Sequence, residues 1–206
     1  MRPQAFTNAR LLDPASGLDA NGTLVVVDGK IAAAGPDVRA DQGMDIVDCG
    51  GACLAPGLVD MRAFLGEPGF EEKETLATAG LAAAAGGVTT VAAQPQTDPI
   101  VDEPALVGFI ARRARETCAV NVVSMAAITK GLRGEEMTEM GLLHEAGAVA
   151  FTDGWKPVAN AQVMRRAMAY GTIWDLLIVH HAEEPALARG GHMNSGEVAK
   201  IGRAHV

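Results

Sequence analysis

The stretch "GLAAAAGGVTTVAAQPQTDP", Gly80 to Pro99, decides the fold. Its alanine run favours a helix, and Gly86-Gly87 ends it. The β-branched "VTTVAA" that follows reads as a strand. The strand runs out into the polar cluster Gln94, Gln96, Thr97 and Asp98. Helix, strand and polar strand end form one unit, and the same pattern recurs along the chain. "LVDM" is a short strand after Pro56, and residues 74–85 form the helix that precedes "VTTVAA". Asp102 is placed to cap a helix over 103–117, with Pro104 in its first turn and Val107, Ile110, Ala111 and Ala114 as its buried stripe. "VNVVSMAAI" is the next strand, Glu135 to Ala146 a helix, and "AVAFTD" a strand. Asn160 caps a helix carrying Val163, Met164, Ala167 and Met168, and "LLIVHH" is a fifth strand.

Apolar strands alternating with helices predict a parallel sheet covered by helices. Five units do not close an eight-stranded barrel. They would complete an open doubly wound sheet, but the glycines of "GLAAAAGG" end a helix where a dinucleotide fingerprint would begin one. Composition leaves the open sheet and the partial barrel both standing. Before Pro56 the style differs. "TLVVVDGKIAAAG" sets two apolar runs around Asp28-Gly29, a hairpin signal. Residues 1–54 therefore read as a small β domain, half of a sandwich completed from elsewhere, and 55–200 as the βα domain.

The chain has 206 residues, is 49% hydrophobic and carries a formal charge of -8. No basic block occurs, which argues against nucleic acid as a partner. No apolar run is long enough to span a membrane, and the N-terminus lacks a signal-peptide pattern, so a cytoplasmic protein is expected. Cys49, Cys53 and Cys118 form no paired framework and suit a reducing compartment.

In either architecture the useful positions are the C-terminal ends of the strands. Here these are "DMRAFLGEPG", "AAQPQTDP", "FTDG" with Asp153, and "VHHAEEP" with His180 and His181. The two histidines point to opposite sides of an extended strand, so one readily faces a shared pocket. An imidazole and the Asp153 carboxylate are sound zinc ligands. Asp60 reads equally as a turn carboxylate. The phosphate-loop spacing is missing from "ITKGLRGEEMTEMG". Arg112, Arg113 and Arg115 read as a solvated helix face.

Taken in order, "APGLVDM..FLGEPG", "AAAAGGVTTVAAQPQTDPIVD", "ITKGLRGEEMTEMGLLHEAGAVAFTDG", "PVANAQVMRRAM", "LLIVHHAEEP" and "LARGGHMNSGEVA" resemble dihydroorotase of the multifunctional-protein-like type, a cyclic amidohydrolase. The resemblance implies an incomplete metal-dependent-hydrolase (β/α) barrel, with part of a small N-terminal β-sandwich. It implies zinc-dependent hydrolysis of the cyclic amide of dihydroorotate in pyrimidine synthesis, or a related allantoinase or hydantoinase reaction. It places Asp153 and His181 on two metal-ligand positions and Gln96 on a substrate-binding asparagine. The first-strand histidine pair falls on Arg62 and Phe64, and the substrate-carboxylate arginine on Gly66. Arginine is a cation with no acceptor and phenylalanine has no lone pair, so neither replaces a neutral imidazole. This pattern resembles degenerate dihydroorotases that pair with aspartate transcarbamoylase as non-catalytic subunits. A chain holding no cofactor and no catalytic residue is then expected, with aspartate transcarbamoylase or a second copy as its partner.

The resemblance stops near residue 199, and "IGRAHV", 201–206, matches the translation of a common sequencing adapter. A non-native tail over 201–206 is expected, on a natural protein that the resemblance implies to be roughly twice as long.

Overall fold

The computed structural model describes residues 2–189, 191, 196 and 197. The expectation for 201–206 lies outside the described residues. The chain divides into two compact units between Gly57 and Leu58.

The first unit is one sheet. Strands β1 (Gln4–Asp13), β2 (Leu18–Val27), β3 (Lys30–Gly35) and β4 (Asp45–Asp48) lie in the order β3-β2-β1-β4, and β5 (Cys53–Leu54) also pairs with β1. β1–β2 and β2–β3 are antiparallel, whereas β4 and β5 run parallel to β1. Asp28 and Gly29 both have positive φ, 51° and 74°, which is the tight hairpin turn their sequence signals. Ala5, Ala9, Leu11 and Val25 are buried, whereas Ile31 and Ile46 are 67 and 62% exposed. A sheet with large apolar groups open to water is the half-finished sandwich that the strand count implied.

The second unit is a half-barrel. Strands β6 (Leu58–Ala63), β7 (Val88–Ala93), β8 (Asn121–Ala126) and β9 (Ala150–Phe151) pair in that order, all parallel. The fifth strand is reduced to a parallel bridge between Phe151 and Ile178. Phe151 N–H donates to Leu177 O at 2.9 Å and Val179 N–H to Phe151 O at 2.8 Å. Helices α1 (Leu76–Ala85), α2 (Pro104–Thr117), α3 (Met140–Glu145) and α4 (Ala161–Gly171) connect the strands, and α5 (Pro185–Ala188) follows. Side chains alternate across the sheet. Val91, Ala93, Ala126 and Phe151 belong to the clusters that include helix residues Leu76, Val107, Ile110, Leu143, Val163 and Ala167. Ala92, Met125 and Ala150 form a separate small cluster with Val123 and Val179. β6 carries Leu58, Val59 and Met61 at 61, 59 and 73% exposed, so this edge of the barrel is open.

Three local expectations are corrected. Asp102 does not cap α2: Glu103 holds the cap position without a side-chain bond, and Asp102 Oδ2 accepts from Gly131 N–H instead. The helix expected from Glu135 starts only at Met140. Residues 136–138 are claimed by the end of β8: Lys130 N–H donates to Glu136 O, Thr138 N–H to Ile128 O, and Thr138 Oγ1 to Ala127 O. Tertiary bonds outweigh the local helix propensity there. Met168, assigned to the buried stripe of α4, is 56% exposed. The caps at Thr75 and Asn160 form as their residue types favour. The longest helix described has 14 residues, and none is long and apolar enough to cross a membrane.

Phe151 is fully buried between strand partners and helices. Phe151→Ala is expected to lower the unfolding free energy by about 3–5 kcal/mol. Met61→Ser on the open edge should change it by less than about 0.5 kcal/mol. Urea denaturation of both variants against the parent checks the contrast.

Candidate functional site

The C-terminal ends of β6 to β9 gather the polar residues of the second unit. Asp153, just past β9, is 2% exposed. Its Oδ1 accepts the backbone N–H groups of Ile128 at 2.9 Å and Thr129 at 3.0 Å, and its Oδ2 accepts the Thr129 hydroxyl. Burial pushes its carboxyl above the ordinary range, and the Thr129 and Ile128 hydrogen bonds and the nearby His180 oppose that rise. A carboxylate has about four lone-pair sites, so these donors leave little of Asp153 for another partner.

Arg62 leaves the end of β6 and stacks on Trp155, with Cζ 4.1 Å from the ring centroid. Its Nη2 donates to Gly154 O at 3.3 Å. Gln96 reaches the same indole. Oriented to satisfy its neighbours, its carboxamide oxygen accepts from Trp155 N–H at 2.7 Å and from the indole Nε1 at 3.2 Å. Its nitrogen donates to Gln94 Oε1 at 3.1 Å, and Gln94 Nε2 meets Met125 Sδ at 3.5 Å. The Gln96 carboxamide lies 2.1 Å from where a Cβ on Gly154 would stand, and Gly154 has φ +66°. A Cβ there would push the end of Gln96 aside, and the positive φ favours glycine. Asp60 serves the turn that presents Arg62, accepting Arg62 N–H at 2.9 Å.

Phe64 turns into the loop that leads to α1. Its ring packs against Phe70 at 5.8 Å, and Lys73 Nζ lies 4.6 Å from the Phe70 centroid. Glu67, 6% exposed, anchors this loop: Oε2 accepts Leu76 N–H at 3.0 Å, and Oε1 accepts Arg113 Nε at 2.6 Å. Arg113 is therefore not the solvated charge its helix face implied. Gly66 sits at φ +69°, and a Cβ there would lie 2.3 Å from Glu74 O and 3.0 Å from Phe70 O. The loop has closed on the position where the resemblance would place an arginine.

The structure thus brings Arg62, Gln96 and Asp153 to one rim but does not assemble a metal centre from them. His181 faces Glu183, Nε2 to Oε2 at 3.6 Å, and it is His180 that lies near Asp153 and opposes the rise of its carboxyl. Among the described residues, no three His, Cys, Asp or Glu side chains gather where they could hold a metal ion. Arg62 and Phe64 do not suit zinc, because a guanidinium has no lone pair to give and a phenyl ring has no donor atom. Trp155, Gly154, Thr129 and Glu67 escaped the sequence reading. The "TDGW" run was the available signal for the first two, but its partner Arg62 is 92 residues from Gly154. A cavity of about 900 Å³ lies at the opposite ends of β7 and β8, and among the described residues Arg115 is the only charged one lining it. It takes no part in the rim.

Gly66→Arg is expected to destabilise the chain by more than about 1 kcal/mol, the cost of left-handed backbone alone in a non-glycine residue. Gly66→Ala should show most of the same loss, because the clash begins at Cβ; thermal or urea unfolding of the two variants measures it. For the unsubstituted chain, metal analysis after extensive dialysis should find no retained zinc pair. Two tightly held zinc ions per chain would refute the misfit.

The family model described as dihydro-orotase-like matches residues 51–203. The dihydroorotase of Geobacter sp. (strain M21) is 42% identical over 190 residues, covering 92% of this chain and 45% of that protein. The dihydroorotase of Wolbachia sp. subsp. Drosophila simulans (strain wRi) is 44% identical over 197 residues, covering 95% and 44%. Among solved structures, the L-hydantoinase (dihydropyrimidinase) of Arthrobacter aurescens superposes with a TM-score of 0.81 at 21% identity, over 100% of this chain and 45% of that one. A dihydroorotase crystal structure superposes with a TM-score of 0.57 at 16% identity, over 90% and 52%. At these identities the superpositions speak for the fold alone. The chain spans less than half the length of the curated relatives it matches. On the extent of the family match and the identity to its relatives, this chain belongs to the dihydroorotase-like family.

Proposed function

We propose that this chain is a non-catalytic member of its family, serving pyrimidine synthesis as a structural companion of aspartate transcarbamoylase. The observation that carries the reading is Arg62: its guanidinium lies 4.1 Å over Trp155 at the strand end where a ligand histidine would stand. Opening a cyclic amide near neutral pH requires an activated water and a polarised carbonyl, which a metal commonly supplies. An arginine cannot lower the pKa of a bound water as a coordinated dication does, and it has no lone pair with which to hold one. Phe64 is packed against Phe70, and Gly66 has no side chain to grip a substrate carboxylate by paired hydrogen bonds. Losing the enzymatic parts while keeping the buried core is the pattern of a protein retained for its surface. The open edge at β6 needs cover from further chain or from a partner.

The test has two arms. Dihydroorotate is incubated with the chain and added zinc, and carbamoyl aspartate is measured; no turnover above a protein-free control is expected. Arg62→His with Phe64→His should remain inactive, because the pair restores imidazoles but neither the carboxylate grip nor a proton-transfer group. In the second arm, the chain is co-expressed with aspartate transcarbamoylase, and co-elution on size exclusion is expected. Metal-dependent turnover by the unsubstituted chain would overturn the non-catalytic reading, and separate elution would overturn the partner.

A further inference from the structure

The misfit between this rim and a metal has a positive side. In a metal-bridged rim, an ion joins ligands from separate strand ends and so holds the mouth together. Here side chains join the strand ends. Arg62 comes from β6, Gln96 from the segment after β7, and Gly154 and Trp155 from the segment after β9. We propose that Arg62 is an internal replacement for the metal's cross-linking role, a cationic strut that ties the end of β6 to the Gly154–Trp155 segment.

Four observations fit together. The guanidinium stacks on Trp155 at 4.1 Å, and tryptophan is the strongest aromatic partner for a cation. The same group donates to Gly154 O at 3.3 Å, so it grips the segment at two points. Trp155 is itself held by Gln96, which accepts from both its backbone and its indole N–H. Gly154 leaves the space that Gln96 occupies, and any Cβ would displace it. A planar guanidinium can stack and donate at once, which a lysine ammonium cannot. Asp153, one residue before, is not part of the strut. It is satisfied by backbone and hydroxyl donors, so the strut does not depend on a carboxylate–ion pair.

A double-mutant cycle over Arg62→Ala and Trp155→Leu, read by urea unfolding, tests the strut. The expected coupling is about two- to five-fold in the unfolding equilibrium constant, the range for a solvent-facing cation–aromatic pair. Arg62→Lys should retain only part of it, having lost the stacking plane and the Gly154 bond. A second readout uses Trp155 emission in a Trp174→Phe background. Arg62→Ala is expected to red-shift that emission and increase its quenching by acrylamide, and added zinc is expected to leave the unsubstituted emission unchanged. Additive effects of the two substitutions, or an emission indifferent to Arg62, would overturn the strut. A saturable zinc response at one ion per chain would overturn it too, since it would show an ion taking the place assigned to Arg62. The strut and the non-catalytic reading fail separately: turnover of dihydroorotate with the coupling intact would sink the second and leave the first.

Discussion

A buried carboxylate organises the second unit. Asp153 is almost wholly removed from water, and a charge in that position is costly unless donors surround it. The donors are the consecutive amides of Ile128 and Thr129 and the Thr129 hydroxyl, all at the end of β8. One side chain thereby fastens the end of β9 to the end of β8, beyond the point where the ladder stops. The Thr129 hydroxyl also accepts Gly134 N–H, so the turn that follows hangs from the same carboxylate. Because Asp153 is fixed, Gly154 and Trp155 are aimed, and Arg62 has something to meet.

A second buried acid does the equivalent work at the other side of the rim. Glu67 satisfies the first N–H of α1 and holds Arg113 of α2, so the loop after β6 is tied to two helices at once. Between these two anchors, aromatic and amide groups fill the space. Phe64 on Phe70, Lys73 over Phe70, and Gln96 on Trp155 are contacts that a protein makes when a rim is packed for its own cohesion.

The sequence was most legible where the physics is local. The Asp28-Gly29 hairpin, the Asn160 cap and the Val107–Ile110–Ala114 stripe each depend on residues within a few positions of one another, and each forms. The parallel order of β6 to β9 followed from the alternation of apolar strands with helices. Legibility failed where distant backbone competes. Residues 136–138 have a helical pattern but bond to the end of β8, and Asp102 spends its carboxylate on Gly131 instead of on α2. The rim was half legible. Arg62, Phe64 and Gly66 stood out by residue type, but residue type did not name Trp155, Phe70 or Glu74 as what they touch. Arg113 shows the same limit, since a helix face gives the direction of a side chain and not the acid waiting at its end.

Gly66 carries a consequence for what substitution can achieve at this rim. Substitutions at 62 and 64 change side chains at a strand end, whereas any side chain at 66 meets backbone at once. The carbonyls of Glu74 and Phe70 stand where it would begin. An arginine at 66 requires the loop to open. The loop has no cause to open while Glu67, Arg113 and the Phe64–Phe70 pair hold it shut. Packing of this kind acts as a lock: position 66 can carry a side chain only if the loop and its anchors change together.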